Sequence, residues 1–214
     1  MVEIKICGLS TPETMAAALD AGADFVGLVF FPKSPRNVSL DRAAILADMA
    51  RGRARIVALT VDADDALLLA INASVRPDFI QAHGAETPER VAAITALIGK
   101  PVIKAIKVAR ADDVLGASVY SDVASLILYD AKAPETLGNK LPGGNGHAFD
   151  WTLLEGRRPP AFMLAGGLNA QNVGRSIAIT HAPMVDVSSG VERAPGVKDG
   201  GLIREFIAAA KGPR

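Results

Sequence analysis

The feature that most constrains this chain is a repeat. Short β-branched or aliphatic runs alternate with Ala-rich helical stretches at intervals of roughly 25–30 residues. The runs are 3–7, 25–30, 55–60, 79–83, 102–106, 125–130, 161–165 and 184–188. Helical patterns follow at about 12–21, 40–50, from 64, 88–98, 112–117, from 150, 170–177 and 198–210. Thr11-Pro12-Glu13 and Thr87-Pro88-Glu89 are matching helix openings. In each, a threonine suited to accept from a first-turn N–H precedes a proline at a position whose N–H would be unpaired anyway. Gly22 and Gly99 stop those helices. Eight strand–helix units without a long insertion suit a closed barrel better than an open doubly wound sheet. The expectation is class α/β, a single (β/α)₈ TIM barrel, with residues 1–214 forming one catalytic domain.

Composition narrows the function classes. Half the residues are hydrophobic but only 5% are aromatic, so the core is aliphatic. Lys+Arg and Asp+Glu are equal at 23 each, which leaves no net field to draw nucleic acid or anionic lipid. One cysteine can form neither an intramolecular disulfide nor a Cys-rich zinc site. No apolar run approaches the roughly 18 residues of a membrane span, and no basic-then-apolar leader opens the chain. These features predict a soluble cytoplasmic protein. The helical patterns show no evident exposed apolar face, which favours a monomer.

In such a barrel the chemistry gathers at the C-terminal ends of the strands. Those ends carry Cys7, the loop 31–37, His83, Asp130, Gly166-Gly167 and Ser188-Ser189-Gly190. Barrels often bind phosphate after their seventh and eighth strands. There, Ala165-Gly166-Gly167-Leu168-Asn169 lets backbone N–H groups approach an anion, and Asn169 can cap the helix behind. Val187-Ser188-Ser189-Gly190-Val191 adds two hydroxyls and a short helix start, whose N–H groups suit an anion. Gly143-Gly144-Asn145-Gly146 is a third glycine-rich edge beside these. Glycines can also simply make tight turns. Three such loops on consecutive strand ends favour a phosphorylated small-molecule ligand, touched by Gly144, Gly146, Gly166, Gly167, Ser188, Ser189 and Gly190.

Asp130 ends an apolar strand, and alternation puts it on one face with Leu126 and Leu128. The same counting puts Lys5 and Cys7 together. If both faces are inward, a thiol and a carboxyl flank one pocket and can move two protons on one substrate. The competing readings are a buried inert thiol and a helix-capping aspartate. Arg36 follows Pro32 and Pro35, which stiffen its loop, and its planar fork suits a carboxylate. His83 is a second candidate base or a hydrogen-bonded structural residue. Lys5, Gln81, Lys104 and Asp186 are polar residues on the expected inward faces. Because the first and eighth strands meet when a barrel closes, Lys5 and Asp186 should pair.

Together these stretches resemble a known family. They are Lys5-Ile6-Cys7-Gly8-Leu9, Phe30-Phe31-Pro32-Lys33-Ser34-Pro35-Arg36, Gln81-Ala82-His83-Gly84, Leu128-Tyr129-Asp130, Gly143-Gly144-Asn145-Gly146, Leu164-Ala165-Gly166-Gly167-Leu168 and Val185-Asp186-Val187-Ser188-Ser189-Gly190-Val191-Glu192, with Pro195-Gly196 and Lys198-Asp199. The chain resembles the phosphoribosylanthranilate isomerases of tryptophan biosynthesis. That resemblance implies an Amadori rearrangement with Asp130 as general acid, Cys7 as general base and Arg36 on the anthranilate carboxylate. It also implies the phosphate at the Gly166-Gly167 and Ser188-Ser189 loops, and neither metal nor cofactor, since the substrate nitrogen is the electron sink. The related isomerase of histidine biosynthesis carries an Asp where Cys7 stands. Ala82 and Asn145 depart from the family's usual Leu and Thr.

Overall fold

The computed structural model describes residues 1–132, 143, 146, 148–159 and 161–212. Its eight barrel strands are β1 (Glu3–Cys7), β2 (Phe25–Phe30), β3 (Arg55–Thr60), β4 (Phe79–Ala82), β5 (Val102–Val108), β6 (Leu126–Ala131), β7 (Phe162–Leu164) and β8 (Met184–Val187). All pair in parallel, in sequence order, and β8 closes on β1. The α-helices are α1 (Pro12–Asp20), α2 (Leu40–Ala50), α3 (Asp65–Val75), α4 (Pro88–Ile98), α5 (Ala111–Gly116), α6 (Val173–Thr180) and α7 (Gly200–Lys211). Thr11, Ser39, Asp64 and Thr87 each cap a helix by accepting a first-turn N–H, and Pro12 and Pro88 take the first helical positions. Among the described residues, no helix is long and apolar enough to cross a membrane.

Two apolar layers follow from strand alternation. Phe25, Val57, Ile103, Leu128 and Met163 fill the barrel interior. Ile4, Val26, Ile56, Ile80 and Val185 face outward and pack with helix residues such as Leu46, Ile94 and Phe206. Lys5 shares its register position with Phe25 and Asp186, and so points inward. Its Nζ meets Asp186 Oδ1 at 2.9 Å, the expected closure pair.

Lys104 does not point inward. Its neighbours Ile103 and Ala105 take the interior, and its own register partners Ala82 and Ile127 belong to the outer layer. It is buried there against Glu86, at 2.8 Å. The helix expected from Asp150 is a single 3₁₀ turn, Trp151–Leu154, because Gly156 and Pro159 interrupt the pattern within a few residues. The helix expected over 170–177 starts later, at Val173. The Asn169 side chain accepts from the N–H groups of Gln171 and Asn172, and this local turn competes with the helix. The fifth strand runs two residues beyond its expected end, and the fourth stops at Ala82, one residue before His83.

Candidate active site

Cys7 closes β1, and Gly8 turns the chain at φ +81°. The N–H groups of Gly8 and Leu9 both bond to Gly27 O, at 2.8 and 3.1 Å. Gly27 is also the register partner of Cys7 on β2. A Cβ at Gly27 would lie 2.9 Å from the Cys7 Sγ and 3.2 Å from the Lys5 Nζ. The missing side chain therefore leaves the space in which thiol and ammonium meet. Burial pushes the Cys7 thiol up, against the pull of the positive Lys5 and Lys198, while Asp186 adds to the rise. Burial works against the charge on Lys5, but Asp186 and Cys7 outweigh it and hold the amine above the usual lysine value.

Asp130 stands three strands away around the barrel. Its Oδ1 accepts the N–H of Ala131 at 2.9 Å, and its Oδ2 is 3.1 Å from the His83 Nε2. The other ring nitrogen of His83 lies 2.7 Å from the Gln81 Nε2. The two ring nitrogens of His83 thus bridge the Gln81 amide and the Asp130 carboxyl group. Gly143 seals this chain: a Cβ there would sit 2.6 Å from His83 Nε2 and 3.0 Å from Asp130 Oδ2. This glycine serves close approach to the acid.

Arg36 is buried at the same mouth. Its Nε and Nη2 donate to the two oxygens of Glu192, at 2.7 and 2.8 Å. Glu192 begins a small hairpin after β8, made of β9 (Glu192–Ala194) and β10 (Val197–Lys198). Lys198 Nζ donates to Glu192 Oε1 at 2.6 Å and to Ser188 O and Oγ at 2.9 and 3.1 Å. Burial lowers the Lys198 amine to about 8, against the pull of Glu192. Burial would raise the Glu192 carboxyl, but Arg36 and Lys198 outweigh it and hold it low.

Cys7, Arg36, His83, Asp130 and Asp186 line one open cavity with Gly146, Gly166, Gly167, Ser188 and Ser189. Its empty space is ≈ 760 Å³, counted with its open mouth. Val29, Phe31, Leu59 and Val61 give it an apolar wall around Cys7. Lys5 lies beneath this floor, fully buried. Gly190 is not in the lining. A Cβ there would lie 1.9 Å from Leu168 O, so this glycine lets the loops after β7 and β8 cross in contact. Gly144 lies outside the described residues.

Sequence reasoning had no role for Glu192 or Lys198 and did not foresee the Gln81–His83–Asp130 chain. The i, i+2 spacing of Gln81 and His83 on one strand face was the available signal for the latter. The Arg36–Glu192 pair spans 156 positions and has no local signature.

Residues 4–209 match the family model for N-(5'-phosphoribosyl)anthranilate isomerase. The chain belongs to that family. The N-(5'-phosphoribosyl)anthranilate isomerase of Parvibaculum lavamentivorans is 53% identical over 211 residues, covering 98% of each chain. Among solved structures, a phosphoribosylanthranilate isomerase in complex with reduced 1-(o-carboxyphenylamino)-1-deoxyribulose 5-phosphate superposes with a TM-score of 0.85 at 33% identity. Monomers of the dimeric isomerase from Thermotoga maritima superpose with a TM-score of 0.84 at 33% identity. Both comparisons cover 100% of each chain. Membership of the isomerase family thus rests on the whole barrel as well as on its rim.

Proposed function

We propose that this protein converts N-(5'-phosphoribosyl)anthranilate into 1-(2-carboxyphenylamino)-1-deoxyribulose 5-phosphate, a step of tryptophan biosynthesis, with Asp130 as general acid and Cys7 as general base. The observation that carries the reading is one cavity with a thiol and a carboxyl on separate strands, between an apolar, arginine-bearing side and a glycine–serine side. The apolar wall and Arg36 suit an aromatic carboxylate, and the loops at Gly166-Gly167 and Ser188-Ser189 suit a phosphate.

Asp130 delivers a proton to the furanose ring oxygen as the C1–O bond breaks. The nitrogen lone pair moves into the C1–N bond and gives an iminium. Cys7 takes the proton from C2, and that electron pair forms the C1–C2 double bond while neutralising the nitrogen. The resulting enol loses its hydroxyl proton and gains one at C1, so atoms and electrons balance within the substrate. His83 orients the Asp130 carboxyl, and Lys5 compensates charge on the sulfur once the thiolate forms. Burial pushes the Cys7 thiol up and Lys5 pulls it back; the sulfur acts as the thiolate, becomes the thiol on taking the C2 proton, and is a thiolate again once a proton is returned at C1.

One chain is read as the active unit, since its own residues supply the proposed acid, base and phosphate-side loops of the cavity; the Thermotoga maritima relative is a dimer, and light scattering distinguishes the two. A cytoplasmic location belongs to the same reading, since a substrate carrying phosphate and carboxylate does not cross a bilayer unaided. The test is turnover of freshly prepared phosphoribosylanthranilate beside the aminoaldose substrate of histidine biosynthesis. The expected result is efficient turnover of the first and little of the second. Folded protein inactive on the first would overturn the reading.

A further inference from the structure

Three contacts tie the β9–β10 hairpin across the rim. Glu192 grips the Arg36 guanidinium through two nitrogens, at 2.7 and 2.8 Å. Lys198 joins the same carboxylate, at 2.6 Å, to Ser188 at the end of β8. At the hairpin tip Gly196, at φ +83°, packs so closely on the Arg36 loop that a Cβ there would lie 2.5 Å from Pro35 O. Its own N–H donates to Glu192 Oε2 at 3.2 Å. One buried carboxylate is thus shared by an arginine from the loop after β2, a lysine from β10 and the hairpin backbone. A carboxylate with so many fixed donors cannot rotate freely, and neither can the guanidinium forked onto it.

We infer that Glu192 is a positioning and specificity-determining residue: through Arg36 it fixes the guanidinium that selects a carboxylate-bearing substrate, while Lys198 anchors the hairpin to the phosphate-side loop. The inference rests on the proposed role of Arg36 and goes beyond it by naming what holds that arginine. Its physical content is preorganisation. Ordering a long arginine side chain at the moment of binding costs affinity, and a buried bidentate partner removes that cost beforehand. Loss of Glu192 should therefore weaken ligands in proportion to their use of Arg36, and leave phosphate binding alone.

The experiment measures, by calorimetry, the affinities of the parent protein and Glu192→Gln for three ligands. These are the reduced carboxyphenylamino product analogue, its phenylamino counterpart lacking the carboxylate, and inorganic phosphate. The parent should prefer the carboxylate-bearing analogue by about ten- to a hundredfold, the scale of one well-held charged pair. Glu192→Gln should reduce that preference to within about threefold, with phosphate affinity changed less than about twofold. Gly196→Ala pushes the hairpin off Pro35 without altering any charge and should reduce the preference in the same direction, which keeps the test open should Glu192→Gln fail to fold. A preference retained in folded variants, or an equal loss for all three ligands, overturns the inference. A parent protein that does not distinguish the two analogues overturns the Arg36 reading beneath it as well.

Discussion

Two lysines on barrel strands are buried against carboxylates, and they serve different parts of the molecule. Lys5 points into the barrel, where Asp186 faces it at 2.9 Å and the Cys7 thiol lies beside it. Lys104 points out of the barrel. Its Nζ donates to Glu86 and to the carbonyl of Gly84, both at 2.8 Å, while Glu86 accepts from the N–H groups of Asp62 and Gly84. The outer pair pins the loop that follows His83. The inner pair forms the floor under the proposed base. A buried ion pair gains little net stability over an apolar pair of the same shape. Each pair is explained by what it holds in place: the sulfur of the proposed base in one case, a loop in the other.

The largest effect should come from removing what the inner pair serves. Cys7→Ala should lower kcat by on the order of 10²–10⁴, the usual range for a general base, with the melting temperature little changed. Steady-state kinetics and a thermal melt on the same sample check this. The outer pair should give the converse. Lys104→Met leaves the Glu86 carboxylate buried without its cation, and stability should fall by about 3–5 kcal/mol in urea titration. At temperatures where it stays folded, its kcat/KM should remain within a few-fold of the parent value. A loss of activity as large as that of Cys7→Ala in the folded Lys104 variant would break the distinction.

A smaller effect sharpens the inner half. Lys5 draws the thiol pKa down against burial, so Lys5→Met should raise it. Each unit of that rise costs about tenfold in thiolate. Iodoacetamide labelling of Cys7 as a function of pH should shift to higher pH in the variant. The smallest effect concerns acid. Glu86 is held below its ordinary value of 4.5, because Lys104 and backbone N–H groups outweigh its burial. A depressed carboxyl contributes stability that is full above its unfolded value and is lost as pH falls through the folded one. Below about pH 4.5 the parent should therefore lose stability faster than Glu86→Gln, as read from melting temperature against pH.

The two lysines also show what the sequence made legible. Lys5 was placed because strand order alone brings the first and last strands of a closed barrel together. Lys104 was misplaced because its strand, Val102–Val108, is apolar at most positions on both faces, so alternation had no phase to lock onto. Helix openings with Thr-Pro were readable to the residue, whereas the start of α6 was not, since Asn169 offers the backbone an alternative turn. At the site, Cys7, Asp130 and the loops after β7 and β8 were visible as strand ends. Glu192 was not, because its partner lies in a distant loop and only the fold brings them together.

The proposed chemistry has Cys7 take the C2 proton while Asp130 delivers one to the ring oxygen. It is tested most directly with substrate carrying deuterium at C2, followed by mass spectrometry under single turnover. The parent protein should release the label into solvent as product forms. Cys7→Ala should bind the reduced product analogue and retain the label. Release from Cys7→Ala at the parent rate would contradict the assignment of the base.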